Sequence, residues 1–187
     1  EEDGDGFINF VYRVSDGEHH LIVKQSTLEA RSKGSFTLDL NRYKLEYDAM
    51  KICAAIVPDL IPKLYDCDEE NRVFITEDVS YLRISRFQLL KGVTYPKLAE
   101  QIARYMAATQ FYTSEYYLDT KRFRDLNVHF MNTTMRKIME VGMFLTSVTP
   151  EDTVGRPLDP EFITFSKRIC ADPAVLLARQ KLRHLFM

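Results

Sequence analysis

Three features in the first half of the sequence have residue types suited to holding a chain of phosphates. Gly4-Asp5-Gly6 stands directly before a strand-like run that contains Asn9. Glycine allows a sharp turn whose backbone N–H groups can approach a phosphate closely. Lys24 ends the apolar run Leu21-Ile22-Val23, which predicts an ammonium group at the margin of a sheet. Glu46 lies beside the apolar stripe of a predicted helix, within reach of a lysine on a neighbouring strand.

Each feature also has an ordinary structural explanation when it is taken alone. Gly4-Asp5-Gly6 fits a turn that leads into an edge strand, and Lys24 fits a surface lysine whose stem covers apolar residues. A dinucleotide-binding fingerprint is excluded, because its glycines follow a strand and open a helix. A Walker A loop is also excluded, because no Gly-Lys-Ser or Gly-Lys-Thr occurs in the sequence.

Taken together, a glycine turn, a strand lysine and a helix glutamate follow the order in which the kinase fold arranges its nucleotide-holding residues. In that fold the lysine contacts the phosphates and the glutamate holds the lysine, so we expect Lys24 and Glu46 to form an ion pair. Glu77-Asp78-Val79 follows where the sequence changes character, which is the place of a kinase hinge between two lobes. We therefore predict that Glu77 and Val79 contact the nucleotide.

Two β-hairpins are predicted to position these residues. Phe7 to Val14 alternates between two faces, and a short polar turn leads into Leu21-Ile22-Val23. Leu64-Tyr65 and Val73-Phe74-Ile75 flank a polar stretch in the same way. The first half of the chain is therefore predicted to be rich in β-strands.

Helices account for the rest of the pattern. Apolar residues at steps of four, three and four predict an amphipathic helix over residues 40–56, which Asn41 or Asp39 could cap. After residue 80 the strand pattern ends and the helical period continues. Asp159-Pro160 and Asp172-Pro173 each predict a helix cap followed by a proline in the first turn.

Composition excludes several other classes of protein. The 187 residues are 45% hydrophobic, which is enough for a core, and 25 Lys and Arg against 27 Asp and Glu give a net charge of −2. Such a balance provides no overall field for nucleic acid, and the longest apolar run is far shorter than the roughly 20 residues that cross a bilayer. The acidic start, Glu1-Glu2-Asp3, is unlike a signal peptide, and Cys53, Cys67 and Cys170 fit no disulfide framework. We expect a cytoplasmic protein without nucleic-acid or membrane partners.

Several uncommon strings, all in register, resemble the S-methyl-5-thioribose kinases, which are relatives of the choline and aminoglycoside kinases. The strings are Gly4 to Val14, Leu21 to Gln25, Ser35-Phe36 with Arg42 to Glu46, Glu77 to Ser80, Tyr95 to Glu100 and Phe111 to Ser114, which are similar to that family's GDGNLNFVFRV, LIVKQ, SWPLTLDRARIE, EDLS, YPKLAE and FYTS. The resemblance extends nearly continuously to residue 118 and more loosely to the end of the chain.

The resemblance implies an α+β fold like that of protein kinases. Residues 1–79 would form a small β-rich nucleotide-binding lobe. Residues 80–187 would form the first helices of a mainly helical second lobe, truncated before the catalytic loop. It implies transfer of the γ-phosphate of ATP to the 1-hydroxyl of 5-methylthioribose in methionine salvage, with Mg²⁺, and it implies a homodimer. The implied nucleotide-binding residues are Gly4, Asp5, Gly6, Asn9, Lys24, Glu46, Glu77 and Val79, and Ser35 and Phe36 would belong to a loop near the sugar.

Two departures from the family pattern concern the sugar site and the catalytic residues. Phe7 stands where the family usually has Asn, and Phe36 stands where it has a tryptophan, which bears on the identity of the substrate. The family's catalytic His-Gly-Asp is absent, because none of the four histidines is followed two residues later by Asp. We therefore assign no catalytic residue in these 187 residues and expect the chain alone to be inactive.

Asp159-Pro160-Glu161-Phe162 is similar to the string that holds the family's magnesium ligands. Here it follows the loop residues Gly155-Arg156-Pro157-Leu158 and leads into a helix, so we predict a helix cap and assign no metal ligand. Two other functions stay open. One is phosphorylation of a different sugar, of choline or of an aminoglycoside, and the other is a non-catalytic nucleotide-binding or interaction module.

Overall fold

The computed structural model describes residues 8–29, 37–146 and 159–186. The described residues up to Met131 form one compact unit, and those from Asn132 onward form a second. The predicted division into lobes after residue 79 stays a prediction.

A four-stranded antiparallel sheet dominates the start of the first unit. Its strands are β1 (Phe10–Ser15), β2 (His20–Gln25), β3 (Leu64–Asp68) and β4 (Val73–Glu77), in the spatial order β1-β2-β4-β3. Both predicted hairpins are confirmed, since β1 pairs with β2 and β3 pairs with β4. Gly17 has a φ of 101° in the first turn, a conformation that glycine adopts without strain.

Helix α1 (Arg42–Ile56) follows β2 and contacts β3 and β4, which confirms the predicted helix. The buried hydrophobic residues of the described chain are Leu38, Tyr43, Val57 and Phe74. The Phe74 ring lies 6.0 Å from the ring of Tyr47 on α1, centroid to centroid, so this contact joins the helix to the middle of the sheet. The predicted side-chain cap is wrong: Asn41 occupies the N-cap position without a side-chain hydrogen bond, and Asp39 Oδ1 instead accepts the Asn41 N–H.

In the described residues after β4, all regular structure is helical, as predicted. The first unit contains α2 (Ser85–Leu90), α3 (Leu98–Tyr112) and α4 (Thr120–His129), and the second contains α5 (Thr133–Glu140), α6 (Pro160–Ala171) and α7 (Pro173–Phe186). This combination of a small sheet and following helices confirms the predicted α+β class. No helix in the described ranges has the length and apolar composition to cross a bilayer.

Both predicted Asp-Pro helix starts are confirmed. Asp159 Oδ1 accepts the Glu161 N–H at 2.8 Å, and Pro160 is the first residue of α6. Asp172 Oδ1 accepts the Ala174 N–H at 2.8 Å at the start of α7. Asp159 therefore acts as a helix cap.

Candidate nucleotide-binding site

An ion pair between Lys24 and Glu46 lies at the centre of the candidate site. Lys24 Nζ donates a hydrogen bond to Glu46 Oε1, which confirms the pair predicted from the sequence. Lys24 comes from β2 and Glu46 from the second turn of α1, so the pair joins the sheet to the helix. The Lys24 side chain is 28% exposed and that of Glu46 is 36% exposed. The Lys24 side chain is therefore held in place and is partly accessible to solvent.

The position of Lys24 is set by the sheet. On one side it stands opposite Val11 of β1, and on the other opposite Phe74 of β4. Its Nζ atom lies 5.7 Å from the centroid of the Phe74 ring, which is only 2% exposed. A lysine over a buried ring keeps its stem packed and its charge at the rim of the sheet.

Arg42 lies one helical turn before Glu46 and is only 7% exposed. Its Nε atom donates to Asn9 Oδ1 at 3.0 Å, and the hydroxyl of Ser26 donates to the same oxygen at 3.4 Å. Burial lowers the pKa of the Arg42 guanidinium, and the negative charges of Asp39 and Glu46 oppose that shift. Asn9, a predicted site residue, is thus attached to the start of α1.

The predicted hinge begins at the last residue of β4. The backbone N–H of Glu77 donates to the Lys63 carbonyl at 2.8 Å, and its Oε2 atom accepts the Lys63 N–H at 3.1 Å. The carbonyl of Val79 accepts the Leu82 N–H at 2.8 Å and closes a turn. These contacts fix the chain where it leaves the sheet.

Between Glu77 and Val79, Asp78 links this segment to β1, the strand on the far side of β2. Arg13 Nε on β1 donates to Asp78 Oδ2 at 2.7 Å, and the Ser80 N–H donates to Asp78 Oδ1 at 2.8 Å. Hydrogen bonds from Ser80, together with the hydrogen bond and positive charge of Arg13, lower the pKa of Asp78 to about 2. The carboxylate is therefore ionised at neutral pH.

The structure describes five of the predicted site residues. Lys24 and Glu46 are in direct contact, and Asn9 is bonded to Arg42. Glu77 is the last residue of β4, and Val79 follows it by two residues. Gly4, Asp5, Gly6, Ser35 and Phe36 lie outside the described residues.

Sequence reasoning did not single out Arg42 or the link between Arg13 and Asp78. For Arg42 a signal was present, because it precedes Leu45 by three residues and so lies on the face of the predicted apolar stripe. For Arg13 and Asp78 there was none, since the two residues are 65 positions apart.

A magnesium ion is held by oxygen ligands that converge on one point. Within residues 8–29, 37–146 and 159–186, no three His, Cys, Asp or Glu side chains converge as ligands for an ion. We assign no magnesium ligand among these residues.

Comparison with known proteins points to one family. The chain is 34% identical to methylthioribose kinase of Bacillus cereus over 187 residues, which is 100% of this chain and 47% of the relative. It is 39% identical to methylthioribose kinase of Bacillus mycoides over 153 residues, 81% of this chain and 39% of the relative. No protein-family model matches the chain. The predicted resemblance is confirmed, and the chain spans about half the length of the curated relatives that it matches.

Proposed function

Because the chain is related along its whole length to methylthioribose kinases, we propose that it carries the nucleotide-binding part of such an enzyme. The whole protein would transfer the γ-phosphate of ATP to the 1-hydroxyl of 5-methylthioribose, a step of methionine salvage. The observation that carries this proposal is the Lys24–Glu46 pair, which joins a strand lysine to a helix glutamate in the order that kinases use.

In this proposal Lys24 binds the phosphates of ATP. Its ammonium is a point charge with three donors, and Glu46 accepts from it. Glu46 fixes the side chain before the nucleotide arrives, so less side-chain entropy is lost on binding. The two residues therefore hold and orient the phosphates, which is the main task of a protein in phosphoryl transfer.

Other predicted residues complete the proposed nucleotide site. We propose that Glu77 and Val79 contact the base through the segment that follows β4, and that Asn9 contacts the phosphates together with Gly4, Asp5 and Gly6. Ser35 and Phe36 would lie near the sugar. The 187 residues contain no His-Gly-Asp, so binding of ATP without turnover is the activity that we propose for this chain alone.

Nucleotide binding by the chain tests the proposal directly. We expect ATP to bind more tightly than adenosine in calorimetry, because the Lys24 ammonium contacts phosphate. Lys24→Met should weaken ATP binding by about 10- to 100-fold, the loss expected for a hydrogen bond to a charged group. Methionine keeps most of the side-chain length and apolar packing, so the melting temperature should change little.

The control is Lys44→Met. Lys44 also pairs with a glutamate, since its Nζ atom donates to Glu69 Oε1 at 2.5 Å, but it is not a predicted site residue. This variant should bind ATP as the wild type does. Equal binding of ATP and adenosine, or equal ATP binding by Lys24→Met and the wild type, would contradict the proposed function.

The sugar substrate is tested with a longer protein that extends through a His-Gly-Asp loop. We expect it to phosphorylate 5-methylthioribose in preference to choline, aminoglycosides and other sugars. In that protein Lys24→Met should lower kcat/KM on the order of 100-fold, since the phosphate contact strengthens as charge redistributes in the transition state. Preference for another acceptor would contradict the proposed substrate and would identify the protein as a different small-molecule kinase of the same superfamily.

A further inference from the structure

Arg42 is a buried cation whose hydrogen bonds reach several separate parts of the chain. Its Nη1 atom donates to the Thr27 and Asp39 carbonyls, each at 2.7 Å. Its Nη2 atom donates to the Ile8 carbonyl at 3.4 Å, and its Nε atom donates to Asn9 Oδ1 at 3.0 Å. One side chain from the first turn of α1 is therefore bonded to two distant segments, one before β1 and one after β2, and to the nearby Asp39 carbonyl.

The two distant segments lie at the ends of β1 and β2. Ile8 and Asn9 directly precede β1, and Thr27 follows β2, the strand of Lys24. The same corner contains the buried Ser26, whose N–H donates to the Arg72 carbonyl at 3.1 Å. Arg42 thus holds the end of β2 and the start of β1 against the helix that presents Glu46.

Burial of a guanidinium is costly unless its donors are satisfied. The oxygens around Arg42 satisfy donors on all three of its nitrogens, and the planar group fixes the direction of each bond. A merely structural arginine would stabilise the fold as a whole. The hydrogen bonds of Arg42 are instead concentrated where Asn9 and the end of β2 meet α1, the helix that carries Glu46.

We propose that Arg42 is a positioning residue for the nucleotide site, which orients Asn9 and the start of α1 toward the phosphates that Lys24 binds. This role rests on the proposed function, because it requires that the chain binds ATP. Arg42 itself would not touch the nucleotide, since its nitrogens are bonded to protein oxygens.

Arg42→Lys tests this role in the full 187-residue chain. Lysine keeps the positive charge but donates from a single nitrogen, so it cannot reproduce the spread of bonds from three nitrogens. We expect ATP binding, measured by calorimetry, to weaken by about tenfold, as expected when charged hydrogen bonds that position a site are lost. Backbone hydrogen exchange should rise near Asn9 and Ser26 and stay unchanged in the last two turns of α1.

The matched control is Arg104→Lys. Arg104 donates through two nitrogens to the Asp59 carboxylate, at 2.9 and 3.0 Å, and both side chains are more than half exposed. The same substitution there should leave ATP binding and the exchange near Asn9 unchanged.

Three results separate the alternatives. If the wild-type chain does not bind ATP, the proposed function fails and the positioning role fails with it. If the wild type binds ATP and a folded Arg42→Lys binds it equally well, only the positioning role is overturned. Faster exchange throughout the sheet and α1 would also overturn it, because it would show a general loss of stability.

A second variant keeps the test decisive if Arg42→Lys does not fold. Ser26→Ala removes the other hydrogen bond to Asn9 Oδ1, which is 3.4 Å long, and leaves the guanidinium intact. We expect ATP binding to weaken by about twofold, in keeping with the loss of one long neutral hydrogen bond. ATP binding equal to that of the wild type would overturn the proposal that the hydrogen bonds from Ser26 and Arg42 position Asn9 for ATP.

Discussion

Glu46→Gln separates the folding role of the Lys24–Glu46 pair from its proposed role in binding ATP. Glutamine keeps the size and an acceptor oxygen but removes the charge. Both side chains are partly exposed, at 28% and 36%, so the pair should contribute no more than about 1 kcal/mol to folding. For a chain of 187 residues, that change shifts the melting temperature by at most about 4 °C.

The effect on ATP binding is expected to be larger. Without its carboxylate partner, the Lys24 side chain must be ordered when ATP binds, and ordering a lysine costs about 1.5 to 2 kcal/mol. Such a cost corresponds to a dissociation constant raised by more than about tenfold. The lost carboxylate also removes a repulsion with the phosphates, which offsets part of this cost. Weaker binding is therefore the expected sign.

Calorimetric titration with ATP measures this change, and a double variant tests its cause. If Glu46 acts through Lys24, Lys24→Met combined with Glu46→Gln should bind ATP no more weakly than Lys24→Met alone. Glu69→Gln, which removes the carboxylate of the exposed Lys44–Glu69 pair, should leave binding unchanged. Tighter binding by Glu46→Gln, or fully additive losses in the double variant, would refute the positioning role of Glu46.

Asp78→Asn should lower the free energy of unfolding at pH 7, measured with urea, and the difference should become smaller at pH 3. The pKa of Asp78 is about 2 in the folded state and 3.8 ordinarily, so the ionised carboxylate stabilises the fold fully above pH 3.8 and this contribution is lost as the pH falls toward 2. An equal difference in the free energy of unfolding at pH 7 and pH 3 would contradict this. Phe74→Ala should destabilise the chain by about 3–5 kcal/mol, since the ring is 2% exposed; a loss below about 1 kcal/mol in urea unfolding would show that the sheet and α1 do not depend on it. Asp159→Ala should lower the helix content of α6 and cost about 1 kcal/mol, because the Glu161 N–H loses its acceptor; hydrogen exchange at that amide should rise, and an unchanged rate would exclude the cap.

The strands and α1 could be predicted because their signals are local. Alternation over Phe7 to Val14 and the apolar steps of residues 40–56 each reflect one element with one buried face. The Asp159 cap was predictable for the same reason, since donor and acceptor lie two residues apart. The cap of α1 was not, because Asp39 and Asn41 are both good cap residues by type, and the helical backbone conformation of Asn41, which leaves its side chain without a cap hydrogen bond, is not visible in the sequence.

The candidate site was predictable only in part. The Lys24–Glu46 pair follows from a strand end and a helix rim, which the sequence pattern indicates. The Arg13–Asp78 link depends on sheet order: Arg13 stands opposite Ile22 of β2, and the end of β4 lies on the other side of that strand. The periodicity of the sequence does not indicate the order of strands in the sheet, so the link could be found only in the fold.

The two cations beside Glu46 differ in what a ligand could gain from them. Arg42 is 7% exposed and its nitrogens are bonded to backbone and amide oxygens, so a phosphate could bind it only by breaking bonds that hold the chain together. The Lys24 side chain is 28% exposed, and its partner is a carboxylate at the rim of the sheet. To exchange Glu46 for a phosphate oxygen as the acceptor of its hydrogen bond, the ammonium would then need only a small movement. For this reason we assign contact with the nucleotide to Lys24 and positioning to Arg42.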